Sequence, residues 1–435
     1  MQDLEDLPGE SDPPESLLIE APGENSRRNN TALLVKLGRV AYMSRAAAAI
    51  TLFTLQTYAP AGGRGNLTSI RGGGPLTTLA IPGSDKPLPL WYLIWANVPQ
   101  SREGPPSRDK LFRVFPWFAD TRTADRFPRT TPADAHPLQA FWGMPRRIRL
   151  DFAANPSGVQ CDLTGAVDDI VVVGWRQRPN GVRYFAWDHP LSPTYKDTKS
   201  GGWLPVHPQP GGIGYRHWVA IAVGDARNTP APCITTWRRR ASDLAEQARM
   251  ARLLAGGYDM DNMKARGFVE SEMPLPGTGD ALAQASMDDL ARGLVQAANE
   301  VAYALRRAIR NASYPGDTSL DTAPIAAAYE TFWTATQGLF FMHLTTASAT
   351  LDTVAPAWRD RLRRTALELF DQAAPLNPSA ASFDPVRIVR ARRDLLGTLS
   401  GYGPFGKKLF SALRLPEPEQ AKTRRSARAK IKETA

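Results

Sequence analysis

The sequence predicts an α+β protein: a mixed, loop-rich N-terminal domain followed by a C-terminal four-helix bundle. Three observations carry this. The 37 prolines and 34 glycines among 435 residues punctuate the first part of the chain every few residues, as in a domain with long working loops. Beyond about residue 280 long patterns follow, with apolar residues three and four apart. Between the two regions, Glu272-Met273-Pro274-Leu275-Pro276-Gly277-Thr278-Gly279 reads as a linker. With 43% apolar residues the chain can bury a sizeable core, which excludes a coiled coil, a collagen and a wholly disordered protein.

The elements follow in order. The first 25 residues hold eight acids and no base, so residues 1–30 read as a solvated, disordered or truncated segment. Residues 31–271 form the α+β domain. In it a helix is expected at Ala46–Thr57, an extended segment at Ile148–Phe152, and strands at Ile170–Trp175, Tyr184–Trp187 and Trp218–Val223. After a linker at 272–280, the bundle occupies 281–413, with helical patterns at Ala281–Ala312, Ala323–Thr346, Val354–Ala374 and Asp384–Leu413. Breaks at Tyr314-Pro315-Gly316-Asp317 and Pro375-Leu376-Asn377-Pro378 make antiparallel neighbours of the flanking helices. Residues 414–435 form a basic, disordered tail.

Composition narrows the function before any motif does. Two cysteines, Cys161 and Cys233, cannot build a disulfide framework or a four-cysteine zinc site, which points to a reducing cytoplasm. No apolar run is long enough for a membrane-spanning helix. A net charge of +10 suits a polyanionic partner. Catalytic signatures are missing: the glycine-rich stretches lack the Gly-Lys-Ser/Thr ending of a nucleotide-binding loop, and the five histidines are scattered singly. Asp188-His189 reads as a turn before Pro190 rather than as part of a triad, and Asp259, Asp261, Glu270 and Glu272 read as charged faces rather than a magnesium site. No cofactor is expected, and the chain reads as a non-enzyme.

What remains is backbone and shape. Six glycines lie within Gly62–Gly74, where they allow positive φ and close approach of the main chain to a ligand. Arg64 and Arg71 frame them, and Asn66, Thr68 and Ser69 supply short donors. Such a loop suits a phosphate backbone or a groove floor, though two ordinary tight turns have the same composition. A second glycine-hinged loop, Gly256–Arg266, carries Asn262 and Met263 at its tip. The bundle adds arginine clusters at 306/307/310, 361/363/364 and 387/390/392/393, with Lys407 and Lys408 beyond. Repetition of that theme favours a polyanion track over plain solvated faces.

The run Gly62-Gly63-Arg64-Gly65-Asn66-Leu67-Thr68-Ser69-Ile70-Arg71-Gly72-Gly73-Gly74-Pro75-Leu76-Thr77-Thr78 resembles the signature of the CasA family, the large subunit of the type I-E CRISPR surveillance complex Cascade. Three further blocks agree in order: Phe141-Trp142 with Pro145 to Leu150, Trp187-Asp188-His189-Pro190-Leu191-Ser192-Pro193, and Leu254 to Met263. The family usually carries roughly a further hundred residues before the position of Met1, so the resemblance implies a truncated chain or a misplaced start. It also implies a function: recognition of the protospacer-adjacent motif in double-stranded DNA, local duplex opening, and help in recruiting a helicase-nuclease that cuts in trans. The partners implied are target DNA, the crRNA-containing Cascade subunits and that helicase-nuclease, with no membrane.

By the same resemblance, the glycine loop (Gly62, Gly63, Arg64, Gly65 and Asn66) meets the motif from the minor-groove side. A basic finger falls on Arg178, with Arg176 as the alternative. Asn262, flanked by Asp261 and Met263, is the wedge that opens the duplex. Leu33, Lys36 and Arg39 lie in a loop expected to touch the crRNA handle end and the backbone subunits. Arg387, Arg390 and Arg393 are the expected contacts of the displaced strand. The family pattern is not fully kept. Arg64 replaces a loop glycine, Asn262 a glutamine, and the finger lysine is an arginine. Some members bind zinc through four cysteines; here only Cys161 matches, with Ser44, Ala47 and Thr164 at the other positions, so no zinc is expected. The competing reading is a nucleotide-dependent enzyme that uses the glycine loops as a phosphate cradle.

Overall fold

The structure, a computed structural model, describes residues 1–32, 35, 37–63, 65–100, 104, 106–241, 243–244, 250–261, 264–278, 280–316, 322–346, 348–375 and 383–418. In chain order its main elements are α1 (Glu24–Arg28), β1 (Met43–Ser44), α2 (Arg45–Tyr58), β2 (Thr77–Ile81), α3 (Leu90–Ala96), β3 (Arg147–Ala154) and β4 (Ile170–Arg178). Next come β5 (Thr194–Lys196), β6 (Trp203–Pro205), α4 (Tyr215–Trp218), β7 (Asn228–Thr229), α5 (Pro232–Arg240), β8 (Arg252–Asp261) and β9 (Lys264–Pro274). The C-terminal part is helical: α6 (Ala281–Ser313), α7 (Ala323–Thr345), α8 (Leu351–Ala373), α9 (Pro385–Leu399) and α10 (Gly403–Ala412). This is the α+β class that the sequence predicts. Two compact units divide the chain, Met1–Ile213 with Ala220–Gly277, and Gly214–Val219 with Thr278–Ala435.

The first unit holds three small antiparallel sheets, ordered β1-β4-β3, β2-β8-β9 and β6-β5-β7. Helix α2 begins where the Ser44 hydroxyl accepts from the Ala47 amide at 3.2 Å, satisfying a backbone donor that the first turn leaves open. Ala47, Ala48, Leu52 and Leu55 then recur on one face and pack with Ile148, Leu150, Val172 and Trp175. Burial of that face, rather than propensity, holds the helix. The β8–β9 ribbon keeps its register from Arg252↔Pro274 to Asp261↔Lys264, with a bulge between Asp259 and Met260.

The acidic first segment is a correction to the expected disordered arm. Asp3 is fully buried, its carboxylate 2.7 Å from Arg147 Nε, and Glu5 holds the same guanidinium at 2.7 Å. Asp6 meets Arg176 at 3.0 Å, and Asp12 bridges to Trp175. Leu7 and Leu17 are buried. The acids neutralise the cationic β3–β4 edge while the leucines enter the core. A composition window cannot see partners that lie more than a hundred residues away.

Three local expectations also change. Trp218–Val223 is helical, closing α4 and continuing as a π-turn over Val219–Val223; an unbroken apolar run has no period to separate helix from strand. Tyr184–Trp187 holds only an isolated bridge from Tyr184 to Thr130. The expected linker is partly strand, since β9 runs to Pro274 and buried Leu275 donates to the Ala251 carbonyl at 2.8 Å.

In the second unit, Trp358 Nε1 donates to the Leu294 carbonyl at 3.0 Å, and the Tyr215 hydroxyl meets that of Thr336 at 2.7 Å. The fourth expected helix is two. Gly401 and Gly403 have φ of +89° and +72°, which ends α9 in the left-handed region and turns the chain into α10. Residues from 419 onward lie outside those described. Arg414, placed in the basic tail by the sequence reading, is tied to Asp289 at 2.5 Å.

Candidate nucleic-acid interface

The glycine loop is a closed turn. Gly62 donates its amide to the Asn66 carbonyl at 3.2 Å, and Asn66 donates its own to Gly63 at 3.3 Å. The Asn66 side-chain amide donates to the same Gly63 carbonyl at 2.9 Å. Its two sides differ. A side chain at Gly62 or Gly63 would meet nothing within 4 Å, whereas a Cβ on Gly65 would stand 2.7 Å from Pro179 Cβ. Gly65 also has a φ of +68°, and its carbonyl accepts from the Asn180 amide at 3.3 Å. One face of the loop is thus seated and the other is open main chain. Arg64 lies outside the described residues.

Pro179 and Asn180 directly follow Arg178, so the structure brings the glycine loop and the basic finger together. Arg178 is exposed at the end of β4. Its alternative, Arg176, is engaged: it holds Asp151 at 2.8 and 3.0 Å and donates to the Leu7 carbonyl at 2.7 Å. Ion pairing with Asp151 raises the Arg176 guanidinium above its ordinary pKa. Pro179 and Asn180 are missed by the sequence reading, although Pro-Asn-Gly is a turn signal, and Asn180 takes a φ of +64°.

The second glycine cluster has a different task. A Cβ on Gly73 would lie 2.7 Å from Pro60, and one on Gly74 would lie 2.5 Å from Met260 Cγ. The Gly74 amide donates to the Tyr58 carbonyl at 2.7 Å, and Tyr58 and Tyr258 rings meet at 5.5 Å. These glycines let the loop's downstream arm clamp the β8–β9 ribbon. Arg71, which frames the glycines in the sequence, is buried and donates to Ser192 Oγ at 3.0 Å and Thr77 Oγ1 at 2.8 Å. Burial lowers its pKa. Burial, with the charge of Arg71 second, also holds His189 well below the usual imidazole value. His189 Nδ1 accepts from the Leu191 amide at 3.1 Å. The Arg71–Ser192 bond thereby ties the glycine segment to the His-Pro-Leu-Ser-Pro block.

The ribbon carries the wedge position. Asp261 pairs with Lys264 and lies 3.5 Å from Arg266, which also grips Asp259 at 2.7 Å. Lys264 Nζ reaches Ser26 Oγ at 3.2 Å. Asn262 and Met263 lie outside the described residues, as do Leu33 and Lys36 of the subunit-contact loop. Arg39 is described and exposed; its amide and that of Gly38 donate to the Glu15 carboxylate at 3.1 and 2.6 Å.

Cys161, Ser44, Ala47 and Thr164 do meet. Burial pushes the Cys161 thiol up, but hydrogen bonds from the Thr164 hydroxyl, the Ser44 and Leu163 amides and the Ser44 hydroxyl outweigh it and bring the pKa to about 7. Among the described residues no three His, Cys, Asp or Glu side chains gather as metal ligands, and no helix is long and apolar enough to cross a membrane.

The bundle arginines separate by what holds them. Arg387 donates from Nε to the Ala312 carbonyl at 3.0 Å, capping the last turn of α6. Arg392 pairs with Asp371 at 2.8 Å, Arg361 donates to the Ala335 carbonyl at 2.7 Å, and Arg363 to Ser400 at 3.2 Å. Arg390 and Arg393 are exposed on α9, Arg393 only 3.9 Å from Asp394.

Known structures share this fold. CasA of Thermus thermophilus is 18% identical with a TM-score of 0.62, over 94% of this chain and 78% of that one. Cse1 of Thermobifida fusca is 16% identical with a TM-score of 0.57, over 93% and 77%. A chain of a structure titled "CRISPR RNA-guided surveillance complex" is 15% identical with a TM-score of 0.54, over 82% and 68%. No curated protein matches the sequence. The family model described as CRISPR-associated protein Cse1 matches residues 1–369, so the chain belongs to the Cse1 family.

Proposed function

We propose that this protein is the large subunit of an RNA-guided surveillance complex, in which it recognises the protospacer-adjacent motif of double-stranded DNA and starts duplex opening. The observation that carries the reading is the glycine loop seated on Pro179, with open main chain at Gly62 and Gly63 beside the exposed finger Arg178. Open main chain and a cation in one place suit a phosphate and a groove edge. Minor-groove edges present a degenerate code, so such a loop accepts several motifs rather than one.

The wedge reading assigns Asn262 and Met263 to a base step beyond the Asp261–Lys264 pair. Inserting a side chain there costs a few kcal/mol of unstacking, which is returned once guide and target pair in an exchange close to energetic balance. No step needs a catalytic group. Arg39, with Leu33 and Lys36, faces the crRNA-containing subunits in this reading, and cutting is left to a helicase-nuclease recruited in trans. For the phosphate-cradle alternative the second glycine cluster is closed, because Gly73 and Gly74 are filled against Pro60 and Met260. The test is binding of the complex to motif-bearing duplex with Gly63→Val: a large loss with normal folding supports the reading, and unchanged motif-dependent binding removes the loop from it.

A further inference from the structure

Within the C-terminal unit, α6, α9 and the start of α10 enclose an open groove of about 350 Å³. Small residues, Ala304, Ala308, Ala391 and Gly397, make the room. The polar walls are Arg307 and Asn311 from α6 and Arg393 and Asp394 from α9, and the rim is Tyr402 and Phe405. The Phe405 ring is flanked by cations, with the Arg307 guanidinium 5.8 Å and Lys408 Nζ 5.9 Å from its centroid. Tyr303 extends the aromatic wall, its ring 5.0 Å from that of Phe405. Tyr402 and Tyr303 are about half exposed, at 48% and 53%.

Partly exposed aromatic rings interleaved with arginine, lysine and one amide match a particular ligand. A duplex keeps its base faces covered by stacking, whereas an unpaired strand offers each base for stacking while its phosphates meet the cations. Asp394 is the one carboxylate of the lining, and Arg393 lies 3.9 Å from it, which leaves the groove net positive. We propose that this groove binds single-stranded DNA, stacking an unpaired base on the Tyr402–Phe405 rim and holding the flanking phosphates with Arg307, Arg393 and Lys408. The proposal rests on the function above, which supplies such a strand when the duplex opens, and it assigns that strand a site. Residues beyond 418 contain cations but no aromatic ring, so any stacking is not theirs.

The test is fluorescence anisotropy of the full chain with labelled oligo-dT, with an abasic strand of equal length and with oligo-U, in moderate salt. Stacking contributes about 1–3 kcal/mol per base, or roughly 5- to 150-fold in affinity, so oligo-dT should bind that much more tightly than the abasic strand. Tyr402→Ala with Phe405→Leu should erase the difference, and Arg307→Gln should weaken both strands. Equal binding of oligo-dT and the abasic strand by the wild-type chain would overturn the proposal without reference to any variant. So would an undiminished difference in the folded double variant, or tighter binding of oligo-U than of oligo-dT. Motif-bearing duplex, measured in parallel in the assembled complex, should bind these variants as it binds wild type. Failure of the groove with duplex recognition intact, and failure of recognition in Gly63→Val, are therefore separate results.

Discussion

Gly65 rests on Pro179: a Cβ on the glycine would stand 2.7 Å from that of the proline, at a φ of +68° that side chains rarely adopt. Gly63, two residues earlier, has open space around it. The loop thus divides into an anchoring glycine and an approach glycine, and substitutions should separate the two roles.

Gly65→Val should destabilise the protein by about 1–3 kcal/mol, through backbone strain and displacement of Pro179. Gly63→Val should change stability by no more than about 0.5 kcal/mol and still abolish motif-dependent duplex binding. Urea denaturation and duplex affinity measured on both variants decide it. Equal stability losses would make both glycines structural.

The two arginines at the end of β4 should also part. Arg178→Gln should weaken duplex binding and lower the salt slope of affinity by roughly one unit, as loss of one phosphate contact does. Arg176→Gln takes the guanidinium from Asp151 Oδ1 and from the Leu7 carbonyl, while the Ser11 hydroxyl stays on Asp151 Oδ2, and should cost about 1–3 kcal/mol of stability with little change in that slope. A slope change in Arg176→Gln alone would reverse the assignment of the finger.

How far the sequence is legible follows from the range of the forces involved. Helix α2 and the bundle helices are readable because one face of each repeats with the helical period. The break at Gly401 is not, since the apolar pattern resumes in register beyond it. Asp3, Glu5 and Asp6 mislead because Arg147 and Arg176 are distant in sequence, and local composition carries no record of them. Arg71 misleads for a similar reason: its acceptors at Ser192 and Thr77 become neighbours only when β2 and the His189–Pro193 block are in place. The glycine run is legible as a backbone device. That its first half stays open and its second half is filled depends on Pro60 and Met260, which only the fold supplies.

Cys161 offers a pH test of the cluster it forms with Ser44 and Thr164. The residue is 2% exposed and its thiol is hydrogen-bonded down to about 7, below the ordinary thiol value of about 8.5. A depressed acid stabilises the fold fully above its unfolded pKa, and that contribution is lost as pH falls through the folded value. The stability difference between wild type and Cys161→Ser should therefore grow from about pH 6 to about pH 9, by up to roughly 2 kcal/mol. Denaturation at both pH values measures it. A difference independent of pH would mean the thiol does not ionise in place.

The ribbon tip can be tested by rescue. Asn262→Ala with Met263→Ala should leave affinity for motif-bearing duplex near wild type while slowing R-loop formation on a closed target, because the unstacking step loses its side chains. A target already melted at the seed should restore the rate, since that step is then complete. Opening a closed duplex at the wild-type rate would take these residues out of the role.

The arginines of α9 call for a narrower substitution than their spacing suggests. Arg387 caps the end of α6 through the Ala312 carbonyl, so its loss should lower stability by about 1 kcal/mol and confound any reading of strand contact. Arg390 and Arg393 are exposed and can be neutralised without disturbing helix packing. Arg390→Gln with Arg393→Gln should leave motif recognition intact and shorten the lifetime of the completed R-loop. A single strand releases roughly 0.7 of a counterion for each phosphate neutralised, so the salt slope of that lifetime should fall by about 1.4 in the double variant. Arg387→Gln alone should move the thermal midpoint and leave the slope where it was. R-loop dissociation followed across a salt series, for wild type and the two variants, separates these outcomes. An unchanged slope in the double variant would return Arg390 and Arg393 to an ordinary solvated face, and a slope that falls only with Arg387→Gln would mean that the capping arginine leaves Ala312 to meet the strand.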